Sequence, residues 1–467
     1  MNFNKITKDN LNKLGSIVSP DRLSTGDSIL DLHSKDESRH KPCRPEVVIW
    51  PADRFEVSAI LKYANNSRIP VTCWGSGSSL EGNPIPVQGG IVLDFNRMNR
   101  ILNIREEDFQ ADVEPGVVYQ DLNEQLKYKG LFFPPDPGAR ATIGGMIANN
   151  ASGIKTVRYG STKDHVLRLS VITADGEIMD IGTRASKTSS GYDLIHLFVG
   201  AEGTLGVVVE ATVRLTGLPE ELSAAIANFP SVENTAKTVF EIIRAGLSPA
   251  GLELLGPECI DLINKEKELG LNVSPTLFME FHGPTTGYLS DVLDMVEEIC
   301  KENGCTDFSP GIGRSEMNRL LKARHELAET ITRSRPGCRM HILDVAVPIT
   351  SYGEMIATAA EETKASGLTG YTFSHAGDGN IHLVFMGKKN DEKEWAKIDE
   401  VTERVVNKAI SLGGTSTGEH GVGIGKRKFM DKEHGAGLKW MKRIKDLFDP
   451  NGILNPGKIF FDSEDAL

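Results

Sequence analysis

The chain has 467 residues, of which 39% are hydrophobic and 25% charged; that is room for two or three domains and a large core. Its 52 basic and 64 acidic side chains leave a net charge of −12, which argues against nucleic-acid binding through the bulk field. No run of about 18 apolar residues offers a membrane-spanning helix. Glycine is in excess, 47 residues where about 7% is ordinary, and this points to tight turns and to backbone pressed against a ligand.

In chain order, Met1 to Val18 lacks the apolar centre of a signal peptide and the arginines of a transit peptide. It reads as an amphipathic helix with Phe3, Ile6, Leu11, Leu14 and Ile17 inward, the start of a polar, mostly helical segment over 1–44. Residues 45–218 mix β-type runs (Glu46–Trp50, Ile91–Phe95, Ala111–Glu114, Leu167–Thr173) with glycine-rich turns and a helix over Asp53–Asn65. Residues 219–412 alternate helices (Glu233–Ala245, Leu289–Lys301, Ser315–Ser334, Ser351–Ser366) with strands (Thr276–Phe281, His341–Val347), the pattern of a sheet covered by helices. Residues 413–467 carry glycine turns, a helix around Leu438–Phe448 and a terminal DPNGILNPGK turn. The six cysteines are scattered without a CxxC pair, so neither a disulfide framework nor a zinc or iron–sulfur site is expected, and a reduced cytoplasmic setting is. Cys300 and Cys305, five apart, read as ordinary packing.

Three glycine-rich loops stand out. Pro70–Pro84, PVTCWGSGSSLEGNP, places Gly75, Ser76, Gly77, Ser78 and Ser79 after a β-type run; such small residues can turn backbone N–H groups toward one anion or make a plain turn. The spacing departs from the dinucleotide fingerprint, and no Walker motif is present. Phe133–Gly160, FPPDPGARATIGGMIANNASGIKTVRYG, is glycine-rich and apolar at once, which suits a flat ring lying on main chain. Ser189–Val209 joins two β-type runs through Glu202-Gly-Thr-Leu-Gly206.

A second group of residues offers metal and acid–base chemistry. His375 and His382 flank a Gly-Asp-Gly turn in FSHAGDGNIH, a spacing that suits a hairpin; Glu419 and His420 lie in GGTSTGEHGVGIGK. Two imidazoles and a carboxylate make a reasonable divalent site, preferred over the alternative that these histidines merely make core hydrogen bonds. Arg324, in KARHE on a helix, is either a solvated side chain or a bidentate partner for a carboxylate.

Together these motifs resemble the vanillyl-alcohol oxidase / p-cresol methylhydroxylase superfamily, and within it the FAD-linked D-lactate dehydrogenase / glycolate oxidase group of D-2-hydroxyacid dehydrogenases, over about Pro42–Phe460. The resemblance implies an α+β fold: a two-subdomain FAD-binding domain of the p-cresol methylhydroxylase type over 45–218, a helix-covered antiparallel-sheet cap over 219–412, and a C-terminal segment over 413–467 that returns to the FAD domain. It implies non-covalent FAD, although Cys73 precedes the first loop. Gly75–Ser79 would cradle the pyrophosphate. Asp136, Thr142, Gly145, Asn149, Ser152, Gly153 and Tyr159 would line the flavin and ribityl chain. Glu202, Gly206 and Val208 would lie toward the adenosine, and Asn455 would cover the domain. His375, His382 and Glu419 would hold zinc, manganese or iron; Arg324 would bind the substrate carboxylate, and His420 would take the hydroxyl proton as hydride leaves for the flavin. A bend at Gly418 and Gly421 would let Glu419 and His420 face different ways.

In related 2-hydroxyglutarate dehydrogenases a lysine and an asparagine occupy the places of Ile342 and Val384. The apolar pair here favours D-lactate or another short D-2-hydroxy acid over D-2-hydroxyglutarate, with glycolate a further alternative. Electrons would pass to a separate acceptor, an electron-transferring flavoprotein before a cytochrome or quinone. Two readings from other classes remain open to the sequence: a hydrolase built on the His/His/Glu metal, and a flavin-bearing electron carrier without catalysis.

Overall fold

Thr7 starts the first helix later than its apolar pattern predicts. Its hydroxyl accepts from the N–H of Asn10 while the Asn10 side chain accepts from the N–H of Thr7, a capping box that confines the helix to Lys8–Gly15. The apolar positions still serve one core: Leu14 is fully buried, and Phe3, Ile6, Leu11 and Ile17 pack against the same cluster.

The computed structural model describes residues 3–267 and 270–461, in two units. The first comprises Met1–Ser152, Gly160–Leu218 and Glu419–Leu467. It holds two main sheets. One contains β1 (Leu23–Ser24), β2 (Val47–Ile49), β3 (Val71–Trp74) and β4 (Ile91–Asp94) in the order β1-β2-β4-β3. β4 runs parallel to both β2 and β3, and the unbroken apolar runs of β2 and β4 reflect burial on both faces. The helix Arg54–Asn66, capped by the Asp53 carboxylate, buries Val57, Ile60, Leu61 and Ala64, one helical stripe.

The other sheet contains β5 (Ile101–Arg105) and β6 (Gln110–Val113). After the short β7 (Leu131–Phe132) it continues with β8 (Val166–Ile172), β9 (Ile178–Gly182) and β10 (Val207–Arg214), in the antiparallel order β5-β6-β10-β8-β9. β7 pairs with β11 (Thr216–Gly217). The C-terminal turn joins this unit: Leu454 makes a parallel bridge to Val71, and the N–H of Asn455 donates to the Val71 carbonyl.

The second unit comprises Gly153–Tyr159 and Pro219–Gly418. Its sheet has seven strands, β12 (Glu221–Asn228), β13 (Gly251–Leu255), β14 (Thr276–Gly283), β15 (Asp307–Ile312), β16 (Cys338–Ala346), β17 (Gly370–His375) and β18 (Asn380–Lys388), in the order β15-β12-β14-β13-β17-β18-β16. Every pairing is antiparallel. The helices Pro257–Lys267, Arg314–His325 and Leu327–Ser334 bury one face through Ile260, Ile263, Met317, Leu321 and Ile331 against Leu222, Phe278 and Phe373. On the other face the Tyr352 hydroxyl, from the helix Tyr352–Ser366, meets Ser374 Oγ at 2.5 Å.

The helix expected over Ser315–Ser334 is two helices, broken at Glu326 (φ −94, ψ 4). This break leaves Arg324 in the last turn of the first. Two sheets in one unit and a helix-covered antiparallel sheet in the other is the α+β architecture expected from the sequence. The units divide the chain differently from its compositional blocks: Gly153–Tyr159, inside the second glycine-rich loop, belongs with the second unit, and the C-terminal segment divides between Gly418 and Glu419.

Candidate active site

In the first unit, tertiary packing brings two of the glycine-rich loops together. A Cβ on Gly75 would fall 2.4 Å from Thr142 Oγ1, so only glycine allows this approach. Thr142 caps the helix Ile143–Asn149 and accepts from the N–H of Gly145. Among the described residues, the N–H groups of Ser76, Gly77, Ser78 and Ser79 make no backbone–backbone hydrogen bond. With Gly77 at φ +69 this loop has the donors and the turn of an anion nest, which fits a pyrophosphate. Asp136 is half-buried in the proline approach, which the Tyr119 hydroxyl holds by donating to the Pro137 carbonyl at 2.9 Å. Burial pushes the Cys73 thiol up to about 12, which leaves almost no thiolate at neutral pH.

The same unit holds the backbone on either side of His420. Asn149 Nδ2 donates to the His420 carbonyl at 3.2 Å, and Ser152 Oγ donates to Glu419 Oε2 at 3.3 Å. Beyond His420, the buried Glu202 carboxylate accepts from the N–H groups of Val422 (2.6 Å) and Gly423 (2.9 Å) and from Asn83 Nδ2 (2.7 Å). Gly421 makes the expected bend at φ +79, where a Cβ would meet Asn83 and Glu202 at 2.9 Å. Asn455 Nδ2 donates to the carbonyls of Glu202 and Asn83. Glu202, expected toward the adenosine, and Asn455, expected to cover the domain, make these hydrogen bonds within the protein. Burial raises Glu202 above the usual carboxylate range and presses Lys458, which donates to the Ile85 carbonyl, down to about 7. Gly206 is packed against Val171 and Phe198, and Val208 is half-buried in β10 opposite Val171.

In the second unit the chemistry lies on one face of the sheet. β17 and β18 form the hairpin that the histidine spacing suggested, joined through Ala376–Asp378 and Gly379 (φ +68). Residues two apart share a face, so His375 and Phe373 on β17 align with His382 and Val384 on β18. The two imidazoles are 5.1 Å apart between ring centres, nearly perpendicular, and their nearest donor atoms lie within 4.8 Å. His375 Nδ1 is 2.6 Å from Glu253 Oε1 on β13. A carboxylate can only accept, so Nδ1 carries the proton and the ring's Nε2 edge is turned the other way, as in metal-binding histidines oriented by an outer carboxylate. The other oxygen of Glu253 takes Arg324, with Nε at 2.8 Å and a terminal nitrogen at 2.6 Å, and the guanidinium lies over the Phe373 ring at 4.9 Å. Burial works to raise the Glu253 carboxyl, but His375 and Arg324 outweigh it and hold it below the usual range.

Asp344, fully buried on β16 opposite His382, lies 3.8 Å from His382 Nδ1 and accepts from Asn380 Nδ2 and Thr417 Oγ1. A Cβ on Gly418 would fall 2.1 Å from Asn380 Nδ2 and 2.9 Å from Asp344 Oδ1. Gly418 is therefore pinned against Asn380 and Asp344. Ile342 and Val384 pair directly and add to the apolar core of this face. Gly153 is held by the N–H it donates to Thr156 Oγ1. Tyr159 ends the same short segment, and its hydroxyl bonds His282 Nδ1 at 2.7 Å while His282 Nε2 bonds Glu280 at 2.6 Å. Burial raises the Tyr159 phenol above its ordinary range.

Glu253, Asp344, Glu280, His282, Asn83 and Asn380 were missed from the sequence. Three of them left a signal: Glu253 in GLELL, Asp344 in HILDVAV and Glu280 in FMEFHG are lone acids inside apolar strands, where a charge is costly unless it is paired.

Comparison with known proteins fits these observations. A family model described as FAD binding domain matches residues 45–182, and one described as FAD linked oxidases, C-terminal domain, matches residues 218–459. A probable mitochondrial D-lactate dehydrogenase of Danio rerio is 38% identical over 448 residues, 95% of this chain and 90% of that one. The glycolate oxidase subunit GlcD of Bacillus subtilis is 36% identical over 460 residues, 97% of each chain. Among solved structures, 4-ethylphenol oxidase from Gulosibacter chungangensis superposes with a TM-score of 0.80 at 18% identity, covering 99% of this chain and all of that one. p-Cresol methylhydroxylase superposes at 0.79 and 16%, covering 99% of each; these two likenesses concern the fold. The chain belongs to the FAD-linked oxidase family and is an FAD-dependent oxidoreductase acting on a CH–OH group.

Proposed function

We propose that the protein oxidises D-lactate, or a similarly short D-2-hydroxy acid, to the 2-oxo acid with non-covalent FAD and a divalent metal ion. The observation that carries this reading is the hydrogen-bonded chain Arg324–Glu253–His375, which sets a guanidinium and an oriented imidazole on one sheet face beside His382. The names of the relatives, D-lactate dehydrogenase and a component of glycolate oxidase, support the substrate class; membership of an FAD-linked oxidase family leaves the hydrolase without support.

FAD would rest on Gly75–Ser79 and along Thr142, Gly145, Asn149 and Ser152; when bound, it supplies a two-electron acceptor for the hydrogen on the substrate carbon. His375, His382 and Glu419 are the donor set for the metal, whose charge would acidify the substrate hydroxyl. Glu253 fixes one edge of the Arg324 guanidinium, and the remaining donors of the fork suit a carboxylate. His420 accepts the hydroxyl proton on its imidazole, with its backbone held by Asn149 and the Glu202 clamp. The apolar Ile342–Val384 pair supports a short chain, since a distal carboxylate there would be buried without a partner. The acceptor for the reduced enzyme would be a separate electron-transferring flavoprotein, in preference to a cytochrome or quinone.

Anaerobic titration tests the reading. D-Lactate is expected to bleach the flavin band near ~450 nm and L-lactate to leave it unchanged, with D-2-hydroxyglutarate requiring far higher concentrations. After exhaustive EDTA dialysis the FAD should stay bound while bleaching by D-lactate is lost. Equal bleaching by both enantiomers would overturn the substrate assignment, and unchanged bleaching after EDTA would overturn the metal. Trichloroacetic acid should release all of the flavin to the supernatant, because the Cys73 thiol is pushed up to about 12 and stays protonated; flavin retained in the pellet would mean a covalent bond.

A further inference from the structure

We propose that Cys300 and Cys305 are a reversible dithiol–disulfide pair that reacts with low-molecular-weight disulfides. The geometry comes from the way one helix ends. The helix Thr286–Glu302 is followed by Asn303 as cap and Gly304 at φ +83. The N–H of Gly304 donates to the Lys301 carbonyl at 3.1 Å, and the N–H of Cys305 donates to the Cys300 carbonyl at 2.9 Å. These are the paired bonds of a Schellman ending, which brings the side chain three residues before the cap against the one two residues after it. In most helices that contact is a pair of apolar side chains; here both partners are thiols.

The pair is asymmetric in the way that thiol exchange requires. Cys300 is fully buried, whereas Cys305 is partly exposed, its S–H donating to the Asp307 carbonyl at 3.0 Å. The hydrogen bond from Cys300 holds the Cys305 thiol below its ordinary range and pushes Cys300 itself up. Cys305 is thus the nucleophile and Cys300 the thiol that resolves the mixed disulfide. Cys73 and Cys259, in contrast, are kept as thiols by burial.

The chemistry balances without a further reagent. The Cys305 thiolate attacks one sulfur of R–S–S–R, and one R–S⁻ leaves, taking up the proton that Cys305 gave up. Cys300 then loses its proton and attacks Cys305 Sγ, which expels the second R–S⁻; that thiolate takes up the proton from Cys300. Two protein thiols and one external disulfide become one internal disulfide and two external thiols, with two electrons passed outward. The bond would tie the end of the helix Thr286–Glu302 to the start of the edge strand β15. This chemistry is independent of the reaction proposed above.

The test is a peptide map of the full-length flavoprotein after incubation with oxidised glutathione, alkylation of the remaining thiols, and trypsin digestion without reduction. Trypsin cuts after Lys301, between the two cysteines, so the internal bond joins the peptide ending at Lys301 to the one beginning at Glu302. We expect that linked species, lost on addition of dithiothreitol. Cys300→Ser should stop with glutathione on Cys305, and Cys305→Ser should leave Cys300 alkylated. Alkylation of both cysteines in the oxidised, unsubstituted protein, glutathione persisting on Cys305, or a bond from either cysteine to a different one would each overturn the proposal, and none of these readings depends on a variant that folds.

Discussion

Glu253→Gln is expected to destabilise the protein by about 3 kcal/mol, because it leaves the mostly buried Arg324 guanidinium, 11% exposed, without its counter-charge. It should also lower metal content or activity by about 10–100-fold, the usual cost of losing the group that orients a ligating histidine. Both effects have one origin. The two oxygens of this carboxylate hold Arg324 and His375, and an amide can offer an acceptor to only one of them while turning an N–H₂ toward the other. The pH dependence gives an internal check. Glu253 is held below the usual carboxylate range, so in acid the unfolded chain binds its proton first and folding stability rises with pH there. The contribution is fully present above the ordinary carboxylate value and is lost as the pH falls toward the lowered one. Urea unfolding of both proteins at pH 7 and at a pH below the ordinary carboxylate value should therefore show a large gap that narrows in acid. A gap independent of pH would mean that the carboxylate's charge is not what stabilises the fold.

His420→Ala is expected to reduce kcat for D-lactate by about 10²–10⁴-fold, the usual range for removing a general base, while FAD and metal contents stay near those of the unsubstituted protein. Its main-chain anchors remain when the ring is removed. The His420 carbonyl still accepts from Asn149, and Glu202 still takes the N–H groups of Val422 and Gly423. The loss should therefore fall on kcat and not on KM or folding. The limb of the kcat/KM profile on which activity falls in acid should disappear with the ring, because it reports the base's own protonation. A kcat within tenfold of the original would assign the proton to another group.

The apolar periodicities, the three glycine-rich loops and the two histidine-bearing motifs were legible because each is local. Spacing by two or by three to four residues sets which side chains share a face, and successive small residues set what a loop can turn toward a ligand. The helix over Arg54–Asn66 and the β17–β18 hairpin follow from that logic, and so does the resemblance to FAD-linked enzymes. Tertiary structure decided what depends on residues far apart in the chain. It set Glu253 between Arg324 and His375, 71 and 122 residues away. It anchored the loop after His420 on Glu202, 220 residues earlier in the chain, and it broke one expected helix at Glu326 so that Arg324 ends a turn. A buried acid within an apolar strand tells the sequence reader that a counter-charge must exist, because desolvation demands one; which residue supplies it is determined only when strands and helices distant in sequence come to lie on the same face of a sheet.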